Sequence, residues 1–246
     1  MKIALCFSGQ IRTGVQTEPN IKRYIGDLLP ICDFFVHTWD HQSSPHKADD
    51  LVPVDKSVFA DFYRLYNPRS MTVEEYLPKR APDKTWGGLR VDAATGKKYL
   101  SMFESIYKAN ELKRLYEKSN GFVYDYVVRI RTDLIFHQDK SLRADIAELF
   151  GKTMTTLDNF MIAYHKGVIE NKVEDIFWLA KSPTMDKLAE FYEHCTTNVN
   201  DWQVQMADWI KNDLKLAYHG LQNSNIRLLR VGNSDLDPLN YDAIPV

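Results

Sequence analysis

The chain predicts an α/β fold with a mostly parallel central sheet, and three observations carry that reading. Residues 3–7 (IALCF), 33–38 (DFFVHT) and 124–131 (YDYVVRIR) are short apolar or β-branched runs bounded by turn residues, as expected of strands covered on both faces. Helical spacing fills the gaps between them, over residues 18–29 and again over 100–116. Strand, helix and strand within the first forty residues make a βαβ unit.

Each element has a local reason. Ser8-Gly9 stops the first strand, Pro19 is tolerated in the first turn of the helix that follows, and Pro30 closes that helix. Residues 41–95 are less regular, because five prolines and the pair Gly87-Gly88 interrupt every periodic segment. One amphipathic helix is expected over 55–65, and a long loop over 77–96. Met102, Ile106, Ala109, Leu112 and Tyr116 recur at helical spacing, with Glu104 and Lys108 as an i,i+4 pair on another face, and Asn120-Gly121 ends that helix. Downstream, strands are expected over 160–164, 176–180 and 226–231. Helices are expected over 183–195, capped by Ser182, and over 201–217.

The 246 residues suit one domain, 1–246, around one substantial core. Hydrophobic residues make 44% and charged residues 26%, which excludes a disordered or membrane-resident composition. The apolar run at the N-terminus is far shorter than a signal-peptide core, and no stretch approaches the roughly 18 apolar residues of a membrane span. A cytoplasmic location without membrane insertion is the expectation. A net charge of −2 offers no global field for a polyanion, so nucleic acid is possible but not favoured. Three separated cysteines (Cys6, Cys32, Cys195) make neither a disulfide framework nor a zinc knuckle, and Cys6 and Cys32 read as small core residues.

Chemistry concentrates at strand ends. Along 124–131 the side chains alternate, so Val128 and Ile130 share one face. Arg129, Arg131 and, if the extended path continues, Asp133 share the other. Ligands of open α/β sheets bind beyond the carboxyl ends of the strands, where guanidinium forks suit a diphosphate and a carboxylate suits a divalent cation. The alternative is a structural salt bridge from either arginine to Asp133 or Asp125. Ser8, Gly9 and Arg12 follow the first strand and reach the same edge, as a phosphate-holding loop or as a plain turn; the spacing is neither a Walker loop nor Gly-x-Gly-x-x-Gly. Trp39 and Asp40 end the second strand, Trp39 as a stacking surface or a buried ring. His41 and His46 share a loop without a credible zinc set.

The segments CFSGQIRT, DFFVHTWD, SMFESIYKANELKRLYE, YDYVVRIRTDLIF and EDIFWLAKSPTMDKL, in that order over residues 3 to about 190, resemble a family of small GT-A-type glycosyltransferase-like proteins of bacterial surface-polysaccharide loci, large viruses and phages. The resemblance implies a three-layer α/β/α sandwich of the nucleotide-diphospho-sugar transferase type. It implies transfer of a sugar from a nucleotide-diphosphate sugar to a glycan or other hydroxyl acceptor. Ser8, Gly9 and Arg12 would contact the donor, joined by Trp39 if its ring serves as the stacking surface, with Arg129, Arg131 and Asp133 on the family's Arg-x-Arg-x-Asp segment. Asp133 would stand near a manganese or magnesium ion. Asp175, on an Asp-x-Phe segment, is the first candidate for the base that takes the acceptor proton, and Asp201 the second, with an N-cap as its structural role. Trp178 and Trp202 are either acceptor-stacking or core residues. The common GT-A signature is Asp-x-Asp, whereas Arg131 stands where the first carboxylate would be. Two routes stay open: Asp133 ligates the metal with waters, or the arginines replace the metal.

Two alternatives accompany this reading. One is a nucleotide-sugar-binding protein without turnover, and the other a phage-type transferase acting on DNA bases. A nucleotidyltransferase would want a Gly-rich loop with a lysine, which the sequence lacks.

Overall fold

The computed structural model describes residues 1–43, 51–76, 93–151, 159–163, 173, 175–194, 202–221 and 226–228. Its first half contains β1 (Ile3–Gly9), α1 (Glu18–Ile25), a 3-10 turn (Gly26–Ile31), β2 (Cys32–Trp39), β3 (His41–Ser43), β4 (Leu51–Pro53), α2 (Lys56–Tyr66), β5 (Ser70–Glu74) and α3 (Ala93–Asn120). The second half contains β6 (Tyr126–Ile130), β7 (Leu134–Phe136), α4 (Leu142–Gly151), β8 (Asn159–Ala163), β9 (Phe177–Ala180), α5 (Ser182–Ala189), α6 (Phe191–His194), α7 (Trp202–Asp208), a π turn (Trp209–Asp213), β10 (Ala217–Leu221) and β11 (Ile226–Leu228).

Seven strands form one sheet in the order β10-β8-β9-β6-β1-β2-β5. Parallel pairing links β1 with β2 and β6, β2 with β5, and β8 with β10; only β9, between β6 and β8, runs the other way. The fold is α/β with a mostly parallel sheet. Alternation along β1 divides the core. Ile3, Leu5 and Phe7 pack with residues of α1, α2 and α4, while Ala4 and Cys6 pack with residues of α3, α5, α6 and α7. Helices therefore cover both faces. Phe7 and Phe62, both fully buried, meet edge to face at 5.4 Å between centroids, and burying each such ring contributes about 1.5–3 kcal/mol. No helix among the described residues is long and apolar enough to cross a membrane.

Several boundaries differ from expectation, each for a local reason. The helix expected over 18–29 stops at Ile25, because Gly26 takes φ 60 and the chain tightens into the 3-10 turn that holds Pro30. Helix α3 starts at Ala93, inside the expected loop, and its buried face is rotated from the apolar stripe. Phe103, Ile106, Ala109, Asn110, Lys113 and Glu117 are buried, whereas Met102, Leu112 and Tyr116 are only half-buried. The polar members of that face are held by partners on α5, which the stripe does not reveal. The helix expected over 183–195 is two, α5 and α6. Lys181 stands at the N-cap, while Ser182 donates to Glu117 instead of capping. The helix expected over 201–217 ends after the π turn, where Lys215 at φ 53 turns the chain so that Ala217 opens β10. Strand β5 forms within the segment read as irregular, and β11 pairs with β7 apart from the main sheet. Cys195, Asp201, His46 and the Gly87-Gly88 pair lie outside the described residues.

Candidate functional site

Parallel strands bring their carboxyl ends to one edge, so the residues after β1, β2, β5 and β6 are neighbours by construction. The reversed strand β9 adds its beginning to that edge, and with it Asp175. One cluster gathers Arg12 from the loop after β1, Ser8 from β1, Arg129 from β6, Arg131 and Asp133 just beyond it, and Asp175.

The extended path of β6 does not reach Asp133. The strand ends at Ile130, and a turn at Thr132-Asp133 folds the aspartate back over Arg131. Hydrogen bonds from both sides stitch that turn to the loop after β1. Thr132 Oγ1 donates to the carbonyls of Gln10 (2.8 Å) and Ile11 (2.9 Å), and the Thr132 carbonyl accepts from Thr17 Oγ1 at 2.6 Å. Asp133, 1% exposed, then accepts a two-pronged grip from Arg131 (Nε 2.9 Å, Nη2 2.8 Å) and a third bond from Arg12 Nη1 at 2.9 Å. Arg12 holds a left-handed backbone at φ 40, uncommon for a side chain of its size. Its Nε donates to Gln10 Oε1 at 3.0 Å, and the same oxygen accepts from the Ser43 amide at 3.0 Å.

Arg129 lies deeper, at 2% exposure. Its Nε donates to Ser8 Oγ at 2.9 Å, its guanidinium lies 5.4 Å from the Trp178 ring centre, and Nη2 is 3.9 Å from Asp175 Oδ2. Arg131 Nη1 approaches the same Asp175 oxygen at 3.8 Å. Burial pushes the Arg129 pKa down to about 10, with Asp175 opposing, so the group stays cationic at neutral pH. Its Nη1 is buried without a hydrogen-bond partner. Among the described residues, three guanidiniums less two carboxylates leave the cluster with one positive charge.

The other expected contacts occupy the same edge in different roles. Ser8 is buried and spends its oxygen on Arg129. Gly9, at φ 101, donates its amide to Ser105 Oγ at 2.6 Å, so that amide serves the protein rather than a ligand. Trp39 is 5% exposed and enclosed by His37, Tyr76 and Lys108, so its face is taken up by packing. Asp40 binds His41 and the Tyr76 amide. Asp125 pairs with the chain's N-terminus, not with the arginines. Trp178 is fully buried and Trp202 packs edge-on against Phe103, which makes both core residues.

The donor set bears on the expected metal. Both Asp133 oxygens already accept guanidinium hydrogens, and among the described residues no group of three His, Cys, Asp or Glu side chains could hold an ion. The arrangement does not fit a metal centre.

Four residues that shape this edge escaped the sequence reading: Gln10, Thr132, His37 and Ser105. The Ser105 hydroxyl accepts from Gly9, meets His37 Nδ1 at 2.8 Å and donates to the His37 carbonyl at 3.1 Å, tying α3 to the ends of β1 and β2. Burial lowers the His37 pKa to about 4 despite Glu74 at 3.5 Å, which holds the ring neutral. For Glu74 burial acts to raise the pKa, but the bond from Lys108 and the nearby His37 outweigh it and the net shift is downward. A serine beside an apolar helical stripe is the only sequence signal that pointed to Ser105.

Compared with known proteins, the chain matches no protein-family model and no curated sequence.

Proposed function

We propose that the chain is a glycosyltransferase that holds the diphosphate of a nucleotide sugar at the arginine-lined carboxyl edge of its sheet. The observation that carries this reading is the convergence of Arg12, Arg129 and Arg131 with Asp133 and Asp175, net cationic, where α/β sheets take ligands. In the reaction an acceptor hydroxyl oxygen bonds to the anomeric carbon as the bond from that carbon to the diphosphate oxygen breaks. The diphosphate leaves with the electron pair. Guanidinium groups fixed before the reaction stabilise the charge growing on that oxygen without reorganising. The acceptor proton passes to a carboxylate, and Asp175, at the rim of the arginine cluster, is the residue proposed for it.

The test is a thermal-shift screen of uridine, guanosine and cytidine diphosphates and their sugar conjugates, followed by donor hydrolysis without acceptor. At least one nucleotide is expected to raise the melting temperature, Arg131→Ala to remove most of that rise, and the bound sugar nucleotide to be split slowly. Stabilisation without any hydrolysis identifies a binding protein. No stabilisation by any of them removes the proposal.

A further inference from the structure

We infer that the chain grips its diphosphate with guanidinium groups alone, Asp133 serving as the strut that sets Arg12 and Arg131, so that binding needs no divalent cation. This deepens the function proposed above and rests on it. A carboxylate offers about four lone-pair sites. Three of them on Asp133 accept N–H groups at 2.8–2.9 Å, and the residue is 1% exposed. A metal ion bonding at about 2.0–2.6 Å would have to displace a guanidinium and then sit beside the cations that remain. Asp175, the other carboxylate, faces two guanidiniums at 3.8 and 3.9 Å.

The same geometry explains what the arginines lack. Among the described residues one positive charge is left over, and buried Arg129 Nη1 has no acceptor, a desolvated donor that an anion would satisfy. A phosphate oxygen on that nitrogen would balance the charge and complete its hydrogen bonding, and the planar fork suits phosphate better than a lysine ammonium does. Arg131, held by Asp133 on its Nε and Nη2 side, turns its Nη1 toward the Asp175 oxygen that Arg129 Nη2 also approaches. Asp133 is thus a positioning residue.

Calorimetric titration of inorganic pyrophosphate and of uridine, guanosine and cytidine diphosphates, in EDTA and in excess manganese, tests the inference. The dissociation constant of the best binder is expected to agree within about twofold between the two buffers, and Arg129→Lys to weaken it about tenfold in both, since losing one fork bond is worth about 1.4 kcal/mol. Manganese alone, followed by water-proton relaxation, is expected to show no enhancement that Asp133→Asn abolishes. Binding confined to the manganese buffer, or an enhancement lost in Asp133→Asn, overturns this inference and leaves the transferase reading standing. Absence of binding in both buffers overturns both readings. Should Arg129→Lys fail to fold, Arg12→Gln, on the half-exposed side of the cluster, gives the same readout.

Discussion

Two buried charge clusters stand on the α3 side of the sheet, and they are finished differently. Between α3 and α5, the fully buried Lys113 ammonium donates to Ser182 Oγ and to Asp186 at 2.7 Å, and pairs with Glu117 at 3.2 Å. At the sheet edge, Arg129 is almost as buried but keeps Nη1 unpartnered amid surplus positive charge. A cation enclosed by two carboxylates is a structural joint. A buried cation with a spare donor among surplus guanidiniums leaves a bond for a partner from outside the fold, the role proposed above for the diphosphate.

Cutting the joint gives the largest expected effect. Lys113→Ala leaves buried Glu117 without its cation and Asp186 with only Arg114 at 3.9 Å, and a loss of about 3–5 kcal/mol in urea unfolding is expected. Arg129→Met removes the surplus charge, at the price of one hydroxyl partner on Ser8, and is expected to cost less than about 2 kcal/mol while abolishing the proposed diphosphate binding. Equal stability losses in these two variants would erase the contrast.

The neutral His37 beside the cluster sharpens it through pH. Its folded pKa of about 4 lies below the ordinary 6.5, so as pH falls the unfolded chain takes up the proton first. Stability from this group is complete above about pH 6.5 and is lost progressively toward pH 4. The urea midpoint should therefore drop across that window, and His37→Gln should flatten the profile. The smallest effect belongs to a third kind of charge pair. Arg143 and Asp27 meet at 2.7 Å with both side chains well exposed, and Arg143→Gln is expected to leave the unfolding midpoint unchanged within error.

The legible part of the fold was the part governed by one-dimensional pattern. Strands β1, β2, β6 and β9 are apolar enough to be read directly, and Arg12, Arg129, Arg131 and Asp133 could be placed at one edge because strand ends locate them, whereas Asp175 was singled out by the family resemblance. Strand β5, reading Ser-Met-Thr-Val-Glu, lies at the sheet's margin and is too polar to stand out. The rotated face of α3 was hidden because Lys113 and Glu117 look like surface residues until Ser182 and Asp186 arrive from 65 or more positions away. Gln10 and Thr132 were invisible for a related reason. Their task is to bind backbone carbonyls and amides of another loop, and nothing in residue type announces that.

The reversed strand β9 has a consequence for the order of assembly. While the chain emerges from the ribosome, β1, β2, β5 and β6 can already associate side by side, and Arg12, Arg131 and Asp133 can lock together. Their counterpart Asp175 is delivered only when β9 slides in beside β6 and offers its far flank to β8. A nascent chain halted before residue 175 would hold Arg12, Arg129 and Arg131 with Asp133 as their carboxylate, so the second carboxylate of the cluster arrives last.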